Sequence, residues 1–316
     1  FWEITAIASV FLILARKTDR ARAAAIRYLI IQIGSGMFLF AGLIIRWHQT
    51  GSVDFGHIGL DTPGGLLIFL AFGIKCAFPL LHSWLVDAYP EATVTGTVIL
   101  SIFTTKLAIY VLARGFAGTE ELIWIGAIMA AFPIFYAILE NDLRRVLSYS
   151  LINQLGFMVV AIGVGTEMAL NGAAAHAFTH IIYKALLLMS VGALMYRTGT
   201  ALGNQLGGLF KSMPLTAGFC VIGAASISAF PFFSGFISKA IILSAVAHEG
   251  YFVVWLVLLF ASAGVLHYVG IKIPYFAFFA SQSEFKVSEA PINMLIAMAL
   301  AAAFCIFIGL FPSVLY

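Results

Sequence analysis

Charge is what this sequence has least of. Of its 316 residues only 31 are Asp, Glu, Lys or Arg, whereas 62% are hydrophobic. An average soluble domain carries about 25% charged and roughly 45–50% apolar residues. No soluble fold of this size covers so much apolar surface with so little polar surface, which excludes a soluble enzyme, a nucleic-acid binder and a disordered chain. Cysteine is scarce as well. Cys76, Cys220 and Cys305 each lie in an apolar run and read as small buried hydrophobes, not a disulfide framework. The sequence opens Phe1-Trp2-Glu3 with neither Met nor a basic segment, so nothing resembles a signal peptide. A first helix without a flank is expected to start inside a larger protein.

What is there is long apolar runs. A helix needs about 20 mostly apolar residues to cross the hydrocarbon core. That rule gives ten segments, at about 1–15, 24–46, 63–86, 93–113, 120–139, 143–164, 168–196, 214–247, 251–271 and 290–311. The runs do not alternate with period two, which argues against a membrane barrel. The expected fold is an all-α polytopic membrane protein. The loops on one face then carry Arg16, Lys17, Arg20, Arg22, Arg27, Arg144, Arg145, Arg197, Lys211, Lys272 and Lys286, and the opposite face only Arg46 and Arg114. This bias places the first face in the cytoplasm.

Four lysines remain, all inside spans: Lys75, Lys106, Lys184 and Lys239. A lysine at a helix centre costs about 2.5–3.5 kcal/mol, so the four cost roughly 10–14 kcal/mol unless paired or snorkelling to an interface. Glu3 is the one acid placed inside a span, since Glu140, Asp142 and Glu167 fall at helix ends. His176, His180 and Lys184 are spaced by four and share a helix face. Titratable groups so arranged suit a proton relay better than a metal site, because no carboxylate or cysteine lies near them in sequence. Thr105 and Tyr110 offer hydroxyls beside Lys106, and His82 follows Lys75 by seven residues.

Two spans carry the same interruption, Ala77-Phe78-Pro79 within 63–86 and Ala229-Phe230-Pro231 within 214–247. Proline removes a backbone donor and clashes with the preceding turn. In a bilayer such a break is tolerated where the freed groups are buried in protein or line a polar cavity. The two spans are five apart, so they run in opposite directions, as expected of inverted-topology repeats with discontinuous helices. A third Ala-Phe-Pro, Ala131-Phe132-Pro133, makes the tripeptide alone a weak sign. The chain is expected to form one transmembrane domain over 1–316, with 1–113 the remainder of a first repeat, 120–271 a second and 290–311 an extra C-terminal helix. The segment 272–289, with Lys272, Glu284, Lys286 and Glu289, is expected to be a cytoplasmic interfacial loop.

Several stretches resemble the proton-pumping antiporter-like family, which includes the antiporter-like subunits of respiratory complex I and the A-type and D-type subunits of Mrp cation/proton antiporters. They are Phe1-Trp2-Glu3, Phe72-Gly73-Ile74-Lys75, Pro79 through Ala88, Asp142 through Ser150, His176-Ala177-Phe178-Thr179-His180 through Leu187, and Gly235-Phe236-Ile237-Ser238-Lys239. The resemblance implies that these ten helices match the fifth to fourteenth of fourteen, leaving about four N-terminal helices absent. It implies a glutamate–lysine pair in Glu3 and Lys75, relay groups in Lys106, His176, His180 and Lys184, and a terminal proton-exchange lysine in Lys239. Lysine at that last position disfavours the complex I type that carries glutamate there, and the wording Asn153 to Phe157 and Asn171 to His176 resembles the D-type Mrp subunit. The implied function is the proton-conducting subunit of a multisubunit Na⁺/H⁺ antiporter in the bacterial plasma (inner) membrane. Its implied partners are other integral membrane subunits, protons, and Na⁺ or another monovalent cation. The alternative is a proton-translocating subunit of a complex I-like NADH:quinone oxidoreductase or membrane-bound hydrogenase. No cofactor is expected, because no span offers haem, iron–sulfur or nucleotide ligation.

Overall fold

The computed structural model describes residues 1–281 and 285–314. Among them no strand is present, and the helices in order are α1 (Trp2–Leu14), α2 (Asp19–Thr50), α3 (Gly65–Cys76), α4 (Ser83–Ala88), α5 (Val94–Gly115) and α6 (Glu120–Leu139). They continue with α7 (Leu143–Val164), α8 (Glu167–Thr198), α9 (Pro214–Ile227), α10 (Ser234–His248), α11 (Phe252–Phe279) and α12 (Ile292–Leu310). Seven are long and apolar enough to cross a membrane by length and composition: α2, α5, α6, α7, α8, α11 and α12. With α1 and the broken pairs α3–α4 and α9–α10, they make up the ten spans expected from the sequence.

Local sequence sets the helix ends. Thr18, Thr93 and Thr166 cap α2, α5 and α8 by accepting a hydrogen bond from the backbone N–H three residues on. Between α7 and α8 the chain turns on Gly165 and the cap Thr166, with Gly165 at φ +73°, where a β-carbon would stand 2.4 Å from the Gly118 nitrogen. Helix α7 is buried along almost its whole length and forms the centre of the molecule, while α2, α11 and α12 present most of their surface outward.

Both breaks are built the same way. Helix α3 closes with Ala77 N donating to Ile74 O and Phe78 N to Gly73 O, and α9 with Ala229 N donating to Ser226 O and Phe230 N to Ala225 O. This is a Schellman closure with alanine in the left-handed position, at φ +63° and +58°. A proline turn follows at once: Leu81 N donates to Phe78 O across Pro79 and Leu80, and Phe233 N to Phe230 O across Pro231 and Phe232. Leu80 and Phe232 stand at φ +69° and +70°, the position after proline that a type II turn makes left-handed. The third Ala-Phe-Pro stays helical inside α6. Its proline is followed by Ile134, whose β-branch disfavours positive φ, whereas leucine and phenylalanine admit it at lower cost.

Three expectations need correction. Span nine does not end at 271 but continues to Phe279, through π-helical turns at Leu266–Ile271 and Tyr275–Phe279. Lys272 is therefore not a loop residue. Its ammonium donates to Ala137 O, Ile138 O and Glu140 O and so closes the C-terminus of α6. Arg144 is likewise not a loop charge, for it lies in the first turn of α7, is 3% exposed, and donates to Ala92 O, Thr93 O and the Thr97 hydroxyl. Glu284 falls outside the described residues. Glu289 caps α9, accepting from Leu215 N at 2.8 Å and from the Thr216 hydroxyl at 2.6 Å. Glu289→Ala is expected to cost about 1 kcal/mol, as loss of a helix cap does, and to lower the thermal unfolding midpoint of the detergent-solubilised protein. An unchanged midpoint would show that the cap contributes nothing.

Candidate proton-relay site

Lys75 lies in the last turn of α3, one residue before the break. It is 1% exposed, and its ammonium donates to Trp2 O at 2.9 Å while sitting 4.1 Å over the Trp2 ring. Trp2 is held in turn, its indole N–H donating to the Ser35 hydroxyl, which donates to Ala71 O. Glu3 follows Trp2 and lays its carboxylate against Gly36 of α2, where a β-carbon would meet Oε1 at 1.6 Å. Across the break the Trp84 indole donates to Ile74 O, which also accepts from Ala77 N in the closure of α3.

Lys106, half-buried on α5, reaches back to Ser101 O at 2.6 Å and to the Thr105 hydroxyl at 3.3 Å. Lys184 on α8 donates into α7, to Leu147 O at 2.6 Å and to the Ser150 hydroxyl. Lys239 on α10 donates to Ile227 O, the last carbonyl of α9, at 2.8 Å and to Ser262 of α11 at 3.4 Å. Its ammonium lies 5.1 Å from the centre of the Phe157 ring. Lys75, Lys184 and Lys239 are each 1% exposed.

The histidines form the middle of the line. His176 Nδ1 lies 2.9 Å from the Ser238 hydroxyl, and its Nε2 lies 3.2 Å from Gln154 Oε1. Gln154 Oε1 only accepts, so Nε2 carries the proton and Nδ1 accepts from Ser238 while the ring is neutral. The Tyr183 hydroxyl also donates to Gln154 Oε1, at 3.1 Å, and Thr179 lies 3.0 Å from Ser238. His180 is fully buried, its ring 6.2 Å from that of His176, and neither of its nitrogens meets a hydrogen-bond partner among the described residues.

Among the described residues every ion pair sits near a helix end, Arg16–Glu91 and Arg27–Asp87 for example, and none involves these lysines. Each buried ammonium is held by neutral oxygens instead. Such a group can give up its proton without leaving a carboxylate buried and unpaired, a loss that makes a broken buried ion pair so costly. No group of His, Cys, Asp and Glu suited to a metal ion is present among the described residues.

The family description "NADH:quinone oxidoreductase/Mrp antiporter, TM" matches residues 1–266. The chain belongs to this family. Hydrogenase-4 component B of Escherichia coli (strain K12) is 29% identical to this antiporter-family chain, over 99% of the chain and 53% of its own length. The D-type Na⁺/H⁺ antiporter subunit of Alkalihalophilus pseudofirmus is 30% identical, over 96% of the chain and 67% of its own length. The chain thus spans between about half and two thirds of these relatives. The structure of the Mrp complex from Dietzia sp. DQ12-45-1b holds a chain with the same fold, at a TM-score of 0.89 and 21% identity, with 97% of this chain and 69% of that one covered.

The remaining candidates of this antiporter-family chain divide. Thr105 is buried and accepts from Lys106. His82 is half-buried beside the first break, its ring 4.7 Å from Phe132 and its Nδ1 without a hydrogen-bond partner among the described residues. Tyr110 is not brought to the line; it is 53% exposed and accepts from Arg114 at 2.8 Å. Sequence reasoning passed over Trp2, Gln154, Ser238, Ser150 and Ser262 as contacts. The available signal was that amide and hydroxyl groups inside apolar spans need partners.

Proposed function

We propose that this chain is the proton-conducting subunit of a multisubunit Na⁺/H⁺ antiporter in the bacterial plasma membrane, working beside other integral membrane subunits. Protons pass along Glu3, Lys75, Lys106, Lys184, His180, His176 and Lys239, with Thr105 and His82 as auxiliaries. One observation carries this reading: Lys75 and Lys239 in the two broken helices, Lys184 on α8 and the half-buried Lys106 on α5 are held by carbonyls and hydroxyls, not by carboxylates. Residues 1–113 and 120–271 act as two half-units related by inverted topology, and 290–311 packs against the second.

Magnitudes are compatible with coupling. Two unit charges about 10 Å apart at an effective dielectric of 20 interact by roughly 1.7 kcal/mol, a little over one pKa unit. A membrane potential of 100 mV supplies about 2.3 kcal/mol per charge. Moving one proton therefore resets the affinity of its neighbour by an amount the membrane can supply.

Similarity to hydrogenase-4 component B supports a second reading, a proton-translocating subunit of a complex I-like oxidoreductase or membrane-bound hydrogenase. The driving force separates the two. Vesicles bearing the whole complex are expected to take up Na⁺ under an imposed ΔpH with no electron donor present. Proton movement that occurs only during oxidation of a reductant would replace the antiporter reading with the second.

A further inference from the structure

Three buried polar atoms on one side of α2 meet no hydrogen-bond partner among the described residues: Oε1 and Nε2 of Gln32 and Oε1 of Glu3. Gln32 is fully buried, so its amide has lost bulk water without gaining a protein partner, a costly state unless something polar reaches it. Gln32 and Gly36 stand one turn apart on the same helix face, and Glu3 Oε1 lies against Gly36. One turn rises about 5.4 Å. Two hydrogen bonds of about 2.8 Å meeting at the roughly tetrahedral angle of one water bridge about 4.6 Å, the scale of one such turn. The same face carries Tyr28 one turn before Gln32, its hydroxyl 2.7 Å from that of Ser9 on α1. Ser35, the other polar residue here, is already committed between Trp2 and Ala71.

We propose that Gln32 holds a buried water between its amide and the Glu3 carboxylate. This hydration site lets Glu3 exchange protons with the Tyr28–Ser9 end of the α1–α2 interface. Loading moves one proton: the water gives a proton to Glu3 Oε1 and regains one that enters through the two hydroxyls. Gln32 is a positioning residue, since it orders the water and carries no proton itself. The proposal rests on the reading of Glu3 as a relay residue.

The test uses vesicles and films of the whole complex. The carboxyl C=O band of Glu3 is identified in infrared difference spectra as the one missing from Glu3→Gln. Gln32→Leu is expected to shift that band and to slow ΔpH-driven Na⁺ uptake about tenfold, the scale of a lost hydrogen bond to a buried charged group. Gln32→Asn, which keeps the amide, is expected to recover part of the rate. A wild-type band and rate in Gln32→Leu, with Glu3→Gln inactive, overturns the hydration site and leaves the relay reading intact. Normal uptake by Glu3→Gln overturns both. Where Gln32→Leu fails to assemble, the unmodified complex decides. It is expected to show a water O–H band that shifts in ¹⁸O-water and disappears in Glu3→Gln, and absence of that band overturns the proposal.

Discussion

Vesicles bearing the whole complex with Lys239→Ala are expected to lose ΔpH-driven Na⁺ uptake by at least about 100-fold, the lower range of what a positioned proton-transfer group contributes. Lys239 is the only Lys, His, Asp or Glu in the buried part of α10, and its neighbour Ser238 connects to His176. Removing it leaves Ser238 with nothing beyond it on α10 to pass a proton to. The same change alters stability little, because two effects oppose each other. Alanine leaves Ile227 O without its donor, at about 1–3 kcal/mol, but also removes a buried lysine that costs about 2.5–3.5 kcal/mol. Assembly should therefore survive while transport fails. Lys272→Ala is the control: it removes a cationic helix closure outside the line, and uptake is expected to stay close to wild type. Full activity in Lys239→Ala would reduce Lys239 to a helix cap and leave the chain a structural anchor.

Gly156→Leu is expected to yield no assembled complex. A β-carbon at Gly156 would lie 2.4 Å from Ala130 N and 2.6 Å from Gly126 O, and one at Gly126 would lie 2.5 Å from Val160 N. These are backbone atoms of the facing helix and cannot rotate aside. Helices in lipid gain nothing from hydrophobic exclusion, so close packing of small residues is what holds α6 to α7. Forcing the axes apart forfeits that packing and also pulls the Asn153 amide from Ala130 O. Even a small population that assembled would misplace Gln154, the acceptor for His176 and Tyr183. Size-exclusion profiles of the tagged complex in detergent provide the measurement. A monodisperse peak at normal yield would mean that α6 and α7 tolerate separation.

The lysines and the span count were readable from sequence because the membrane makes both expensive to disguise. A charged residue among twenty apolar ones is visible wherever it points. Other features depend on which atoms meet, and composition does not encode that. Lys272 and Arg144 looked like ordinary positive-inside charges, yet both are consumed by helix ends, one closing α6 and one tying α7 to the start of α5. The buried lysines set two of the three Ala-Phe-Pro tripeptides apart in the sequence, but the physical reason only those two break the helix lies in the following residue and its tolerance of positive φ. Gln32 and Gln154 are polar residues in apolar spans, but only the packing separates the one that has a histidine from the one whose side chain meets no hydrogen-bond partner among the described residues.

The break in α9–α10 also has an electrostatic consequence. An α-helix that stops inside the protein presents roughly half a unit of negative charge at its carbonyl end. Helix α9 stops at Ile227, and the Lys239 ammonium sits on that carbonyl. The counter-charge is thus backbone, fixed in place and unable to take up or release a proton. Whatever the pH on either side of the membrane, Lys239 meets the same partner, so any change in its charge is set by the neighbouring titratable groups and by the field across the bilayer.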